Sequence, residues 1–318
     1  MAYTEIRKTM IPNTNKGVPF STATPREYIY FTVQFNNFRD VSGSHANEVT
    51  DREEFDTCEC VICLPDTYTD DGDETPLIIS CHGSGELVNE EKCMVGGVQR
   101  LMNCVDAGYA VMDVNGSAPH GRTMGCPEHV CALFKAYKYV TKKYNLSKQV
   151  MVVGASMGGG SAMNFATTYP SLVLALGLIF PRLNVEGAYV GDHYCIGAWD
   201  KNEVHPDTGT CAKERTATAF RFPKGTEEWC DDNMMGFDPY RTRSFINKDG
   251  ERCVIPPCPV KIWHGNADSV IDVEMSREYV RSVRRAGCYI EYHEIDGIGH
   301  KVQPAMQAEI LMWFNRFI

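Results

Sequence analysis

The sequence predicts an α/β architecture, a mostly parallel central sheet flanked by helices and carrying one long insertion. Three observations point to it. Unbroken apolar runs such as Pro76-Leu77-Ile78-Ile79-Ser80-Cys81 read as strands buried on both faces. These runs alternate with helix-like stretches, which is the rhythm of βαβ units. A serine, Ser156, also stands at the turn between one such run, Val150-Met151-Val152-Val153, and a small-residue segment that starts a helix.

Residues 1–25 are polar and carry Pro12, Pro19 and Pro25, so they are expected to form an extended arm over the surface. β-Branched and aromatic residues at 28–35, with a second such run at 58–64, predict an antiparallel, hairpin-like start; a polar loop over 42–56 lies between them. The strand at 76–81 ends in His82-Gly83-Ser84-Gly85-Glu86. A helix is expected over 90–106, a strand over 109–114, a loop over 115–127 and a helix over 128–143 that leads to the run at 150–153. Past the serine turn and its helix, 172–179 reads as another buried strand, closed by Pro181.

From 182 to 257 the rhythm breaks. Gly, Asp, Trp and Tyr accumulate there, with short helical patterns at 212–219 and 227–235. An insertion of this length is expected to be a cap or lid within a single domain spanning 1–318; a solvated decoration is the alternative. Regular alternation returns with a strand at 260–264, a helix at 273–285, a strand at 289–293 and a closing helix at 303–317.

Composition narrows the function. The 318 residues can bury a sizeable core without staples. Lysine and arginine total 31 against 41 aspartates and glutamates, a net charge of −10. No basic field is available to recruit phosphate, so neither nucleic acid nor an anionic membrane is an expected partner. The N-terminus has no apolar segment of the signal-peptide kind and no stretch approaches a membrane span, so a cytoplasmic location is expected unless a signal has been removed. The 14 cysteines then read as buried, reduced thiols. Cys58, Cys60 and Cys63 suggest a metal cluster, but strand periodicity splits them between two faces and no second pair completes a four-ligand set. The expected chemistry uses no metal and no cofactor.

Ser156 is the candidate nucleophile, at the centre of Gly154-Ala155-Ser156-Met157-Gly158. Small residues two before and two after it let strand and helix pack closely while the serine takes a strained conformation. A plain glycine-rich turn, with the serine only a cap, is the alternative reading. A serine hydroxyl is a poor nucleophile near neutral pH and needs an imidazole base held by a carboxylate. Two loops supply them: Trp263-His264-Gly265-Asn266-Ala267-Asp268 and Gly297-Ile298-Gly299-His300, each beyond a strand's C-terminal end. Asp272, Asp200 and Asp238 are alternative carboxylates; Asp268 is preferred because it ends the HGxxD pattern.

The serine turn, HGxxD and GxGH together resemble the α/β-hydrolase superfamily, over roughly residues 75–180 and 258–318. That resemblance implies the α/β-hydrolase fold, with nucleophile, acid and base on Ser156, Asp268 and His300. It also implies an oxyanion hole from the backbone N–H of Met157 and a donor in the His82–Glu86 loop, assigned to Ser84 with Gly85 as fallback. His82 reads as a structural histidine under that loop. Asn115, His120 and Arg122 follow a strand's C-terminal end, and Trp199, Trp229, Tyr194 and Phe237 lie in the insertion; these are candidate substrate contacts or else cap core.

HGSGE together with GASMGGG resembles the branch that holds feruloyl and acetyl-xylan esterases, polyester depolymerase-like enzymes and small serine peptidases related to the prolyl oligopeptidases. The implied activity is hydrolysis of aryl (feruloyl-type) or acetyl esters, free or linked to an oligosaccharide, through an acyl-enzyme. A small serine peptidase and a non-catalytic binding module of the same fold are the alternatives. The oligomeric state is left open by the sequence.

Overall fold

The apolar runs come together as the strands of a single sheet. A computed structural model describes residues 5–10, 26–36, 55–115, 123, 125–190, 212–220 and 236–318. The strands are β1 (Ile6–Met10), β2 (Arg26–Asn36), β3 (Phe55–Cys63), β4 (Thr75–Cys81), β5 (Val88–Asn89), β6 (Met94–Val95), β7 (Ala110–Val114), β8 (Leu146–Ala155), β9 (Val173–Ile179), β10 (Ser244–Ile246), β11 (Arg252–Val254), β12 (Val260–Gly265) and β13 (Glu291–Ile295). The helices are α1 (Met102–Asp106), α2 (Pro127–Lys143), α3 (Met157–Thr168), α4 (Val185–Val190), α5 (Ala212–Ala219), α6 (Val273–Arg285) and α7 (Pro304–Phe314), with a 3₁₀ turn over Val98–Leu101.

The nine-stranded sheet has the order β1-β2-β3-β7-β4-β8-β9-β12-β13. From β7 to β13 neighbouring strands run parallel. The first three strands add on antiparallel. Period-2 alternation feeds two cores: in β3, Cys58, Cys60 and Ile62 enter one layer while Val61 and Cys63 enter the other. The first layer is covered by α2, α3 and α6, and the second by the 3₁₀ turn, α1 and α7. This is the mostly parallel sheet flanked by helices that the alternation predicts.

Three expectations need correction. The expected helix over 90–106 begins only at the 3₁₀ turn, because β5 and β6 pair as a small antiparallel hairpin. Cys93 turns that hairpin with a positive φ of 53°. Part of the N-terminal arm is a strand: β1 pairs with β2, and Glu5 accepts hydrogen bonds from the Tyr139 and Tyr144 hydroxyls, both at 2.8 Å, which ties it to α2. The last strand begins two residues later than expected, at Glu291, with Tyr289 left 67% exposed.

Within 182–257, α5 falls where the helical pattern at 212–219 predicts, while α4 and the β10–β11 hairpin are additions. The helical pattern at 227–235 lies outside the described residues. Asp238 joins this segment together, its carboxylate accepting the backbone N–H of Glu186 and of Tyr240, each at 3.0 Å. No described helix is long and apolar enough to cross a membrane.

Candidate active site

β8 lies between β4 and β9 inside the sheet and delivers Ser156 to the start of α3. The serine has φ 55° and ψ −123°, a conformation that costs an L-residue on the order of 1–3 kcal/mol. Neighbouring backbone holds it there. Its N–H donates to Ile179 O at 2.9 Å, and its carbonyl accepts from Gly159 and Arg182 at 2.9 and 3.0 Å. A Cβ on Gly158 would fall 2.0 Å from the carbonyl oxygen of Cys81, so only glycine lets α3 begin this close to the end of β4. A Cβ on Gly83 would lie 3.6 Å from the Ser156 Cβ, which puts the loop after β4 beside the serine.

β12 and β13, adjacent and parallel, end in the two loops that carry Asp268 and His300. His300 Nδ1 lies 2.7 Å from Asp268 Oδ2. Since a carboxylate only accepts, Nδ1 carries the proton and Nε2 is left as the basic nitrogen. The other carboxylate oxygen, Oδ1, accepts the N–H of Val270 at 2.8 Å and of Ile271 at 3.0 Å. Burial by itself would raise the Asp268 carboxyl; hydrogen bonds from His264, His300 and Val270 outweigh it and hold the group well below the usual carboxylate range. Asp268 is therefore an anion across the ordinary pH range.

Two features of this pair escape sequence reasoning. The Phe180 ring is tilted against the His300 imidazole with centroids 4.1 Å apart, and Phe180 has a positive φ of 35° anchored by its N–H bond to Trp263 O at 2.7 Å. His264, fully buried, has Nε2 only 3.3 Å from Asp268 Oδ2. The signal for His264 was present in HGxxD, whose histidine sits four residues before the acid. Phe180 had none beyond its place after a buried strand.

The other carboxylates are engaged elsewhere. Asp272 caps α6, accepting the Glu274 N–H at 2.9 Å. Buried Asp238 ties Glu186 to Tyr240, and burial pushes its carboxyl up. Asp200 lies outside the described residues.

Under the loop after β4, a second buried pair forms. His82 Nδ1 donates to Asp113 Oδ1 at 2.6 Å, and Asp113 also accepts from the N–H of Gly97 at 2.7 Å and of Val114 at 2.7 Å. Burial pulls the His82 imidazole down, but the charge and hydrogen bond of Asp113 raise it overall. Glu86 accepts the Gly83 N–H at 3.0 Å and is paired with Arg100 at 2.7 Å. This fixes the turn that carries Ser84, in which the Glu86 N–H donates to Gly83 O at 3.2 Å.

Met157 opens α3 and shares an apolar cluster with Val185, Tyr189, Ala219 and Phe220 of the 182–257 segment. Phe237 packs against the same cluster. Asn115 donates its N–H to Glu59 O at 2.9 Å and accepts the Val88 N–H on its side chain at 3.3 Å, which ties the end of β7 to the β5–β6 hairpin. His120, Arg122, Tyr194, Trp199 and Trp229 lie outside the described residues. Among the described residues, Cys58, Cys60 and Cys63 are buried free thiols, and no group of three or more His, Cys, Asp or Glu is placed to hold a metal ion.

A family model described as Hydrolase_4, serine aminopeptidase S33, matches residues 77–303. No curated protein matches by sequence. Among solved structures, the chain resembles a puromycin-hydrolysing peptidase of Mycobacterium tuberculosis at TM-score 0.57 and 15% identity, covering 82% of this chain and 37% of that one. It resembles Pyrococcus horikoshii acylaminoacyl peptidase at TM-score 0.55 and 12% identity, covering 92% of this chain and 46% of that one. It also resembles a lipase/esterase of Lactobacillus plantarum at TM-score 0.55 and 14% identity, covering 90% of this chain and 97% of that one. The chain thus spans less than half the length of these peptidases and nearly all of the lipase/esterase.

Proposed function

The chain belongs to the serine aminopeptidase S33 family of α/β-hydrolases, the serine hydrolases, and from that premise we propose that it is a carboxylic-ester hydrolase acting through an acyl-enzyme. The observation that carries this reading is the His300–Asp268 pair at 2.7 Å, with the His300 ring against Phe180, the residue after the Ile179 whose carbonyl accepts the N–H of a serine held at φ 55°. Ser156 Oγ attacks the ester carbonyl carbon while His300 Nε2 takes its proton. The oxyanion is held by the backbone N–H groups of Met157 and Ser84, each such donor being worth about 2.7–4 kcal/mol in this kind of chemistry. His300 then protonates the departing alcohol, and water, activated by the same imidazole, releases the acid. Asp268 holds the tautomer throughout. No metal or cofactor enters the scheme, and the 182–257 segment, whose Val185, Tyr189, Ala219 and Phe220 pack at Met157, is the cap that selects the acyl group.

A peptidase of the same fold is the second reading, favoured by the S33 family model and by the peptidases among the structural relatives. The ester reading is preferred because Glu86, the carboxylate of the loop beside Ser156, is neutralised by Arg100 and bonded to the Gly83 N–H. It is not free to read the amino terminus of a peptide. A panel of acetyl, butyryl and feruloyl esters with aminoacyl amides, run on wild type and Ser156→Ala, decides between them. Ester turnover that vanishes in the alanine variant is expected. Amide turnover in its place overturns the ester assignment, and activity surviving in Ser156→Ala overturns the mechanism.

A further inference from the structure

The acid of the pair carries one donor more than the Ser156, His300 and Asp268 scheme uses. A carboxylate offers about four lone-pair positions. On Asp268, Oδ1 is filled by the N–H groups of Val270 and Ile271, and Oδ2 takes the His300 Nδ1–H at 2.7 Å. Beside Oδ2, at 3.3 Å, lies His264 Nε2. The same nitrogen is 3.1 Å from the carbonyl oxygen of Ile271.

Both neighbours of His264 Nε2 are acceptors, so this nitrogen must carry a proton; the N–H bonds to Ile271 O, and its positive end lies 3.3 Å from Asp268 Oδ2. The other ring nitrogen, Nδ1, lies 2.7 Å from Ser276 Oγ, which is completely buried on α6. With Nε2 protonated, Nδ1 of the neutral ring is an acceptor and the Ser276 hydroxyl donates to it. The two acceptors at Nε2 set the tautomer, and the Ser276 hydroxyl, able to donate or accept, completes it at Nδ1. In the opposite tautomer, a lone pair on Nε2 would face two acceptor oxygens at the base of the site.

We propose that His264 and Ser276 are positioning residues of the hydrolase. Ser276 Oγ and Ile271 O hold the His264 ring from its two nitrogens, and the Nε2–H so placed faces Oδ2 of Asp268 beside the point where it meets the His300 Nδ1–H. Neither touches substrate; both act through Asp268. The inference rests on Ser156 being the nucleophile and His300 its base. The titratable and charged groups around the pair are Asp268 itself, the His300 imidazole and, on β13, Glu294, whose carboxylate is already clamped by Arg277 at 2.5 and 2.9 Å.

Labelling of Ser156 by a fluorophosphonate tests this without any need to know the natural substrate. His264→Leu removes the donor, His264→Gln keeps an amide N–H within reach of Nε2's place, and Ser276→Ala removes the hydroxyl. The expected result is a maximal labelling rate lowered about ten- to a hundredfold in His264→Leu, the size of one hydrogen bond to a charged group. Probe affinity stays unchanged, and His264→Gln restores most of the rate. Ser276→Ala slows wild type but has no further effect in the His264→Gln background, because its only route of action is gone. Equal losses in Leu and Gln variants, or a Ser276→Ala loss of the same size in both backgrounds, overturn the inference and leave Ser156 standing as the nucleophile. A folded wild type that does not label at all overturns both.

Discussion

At the scale of single residues, Asp268 shows how a buried carboxylate can be both costly and useful. Its burial opposes ionisation, yet backbone N–H groups on Oδ1 and histidine N–H groups around Oδ2 keep it charged. That asymmetry predicts the fate of Asp268→Asn. The asparagine must place its carbonyl oxygen where Oδ1 accepts two backbone N–H groups, so its NH₂ falls at the Oδ2 position. There it donates to His300 Nδ1 and imposes the wrong tautomer, with a proton where the base must be free. Turnover is expected to fall about 10⁴-fold with KM little changed; a variant within tenfold of wild type would show that Asp268 is not the acid. The residue identities of this pair are legible in the sequence, because HGxxD and GxGH each follow a strand end. The donors that charge Asp268 are less so. His264 and Ser276 belong to β12 and α6, and only the folded chain brings them to one carboxylate.

At the scale of elements, the loop after β12 and the loop after β13 are held together by a close approach. A Cβ on Gly265 would sit 2.1 Å from the carbonyl oxygen of Ile298, two residues before His300. Gly265→Ala must therefore push the loop that carries His300 off the loop that carries Asp268. Overpacking of this kind costs about 1–3 kcal/mol in stability, but displacement of His300 from Asp268 should depress turnover far more than the melting temperature suggests. Equal activity at the same melting temperature would mean that the loop gives way freely. Element identity was legible wherever burial on both faces imposed a continuous apolar run, as in β4, β8, β9 and β12. It failed where tertiary pairing decided the outcome. The stretch from Val88 to Val95 has apolar spacing compatible with a helix, but Cys93 at positive φ and the Asn115 side chain on the Val88 N–H make it a hairpin. β1 is likewise made by its partner β2 and by the hydroxyls that hold Glu5, not by its own polar residues.

At the scale of the whole molecule, the same sheet that carries Ser156, Asp268 and His300 at its strand ends also buries His82 and His129, and these set how stability responds to pH. His129 on α2 is fully enclosed: its Nδ1 accepts from the hydroxyls of Thr123 at 2.6 Å and Ser161 at 3.1 Å, while Nε2 donates to Val114 O at 3.2 Å. Burial, chiefly, pushes the imidazole down to about 4 from an ordinary 6.5. Between those values the unfolded chain binds the proton and the folded chain does not, so stability is present above pH 6.5 and is lost as pH falls toward 4. The shift corresponds to roughly 3 kcal/mol in full. His82 works in the other direction: its raised imidazole contributes stability that is present below the unfolded value and lost as pH rises through the folded one. Comparing wild type with His129→Gln, which cannot titrate but keeps an N–H for Val114, separates the two. Urea unfolding at about pH 7 and about pH 5 should show wild type losing about 2 kcal/mol more than the variant on acidification. Parallel losses would mean that His129 is protonated in the folded protein, and that its burial does not hold it neutral.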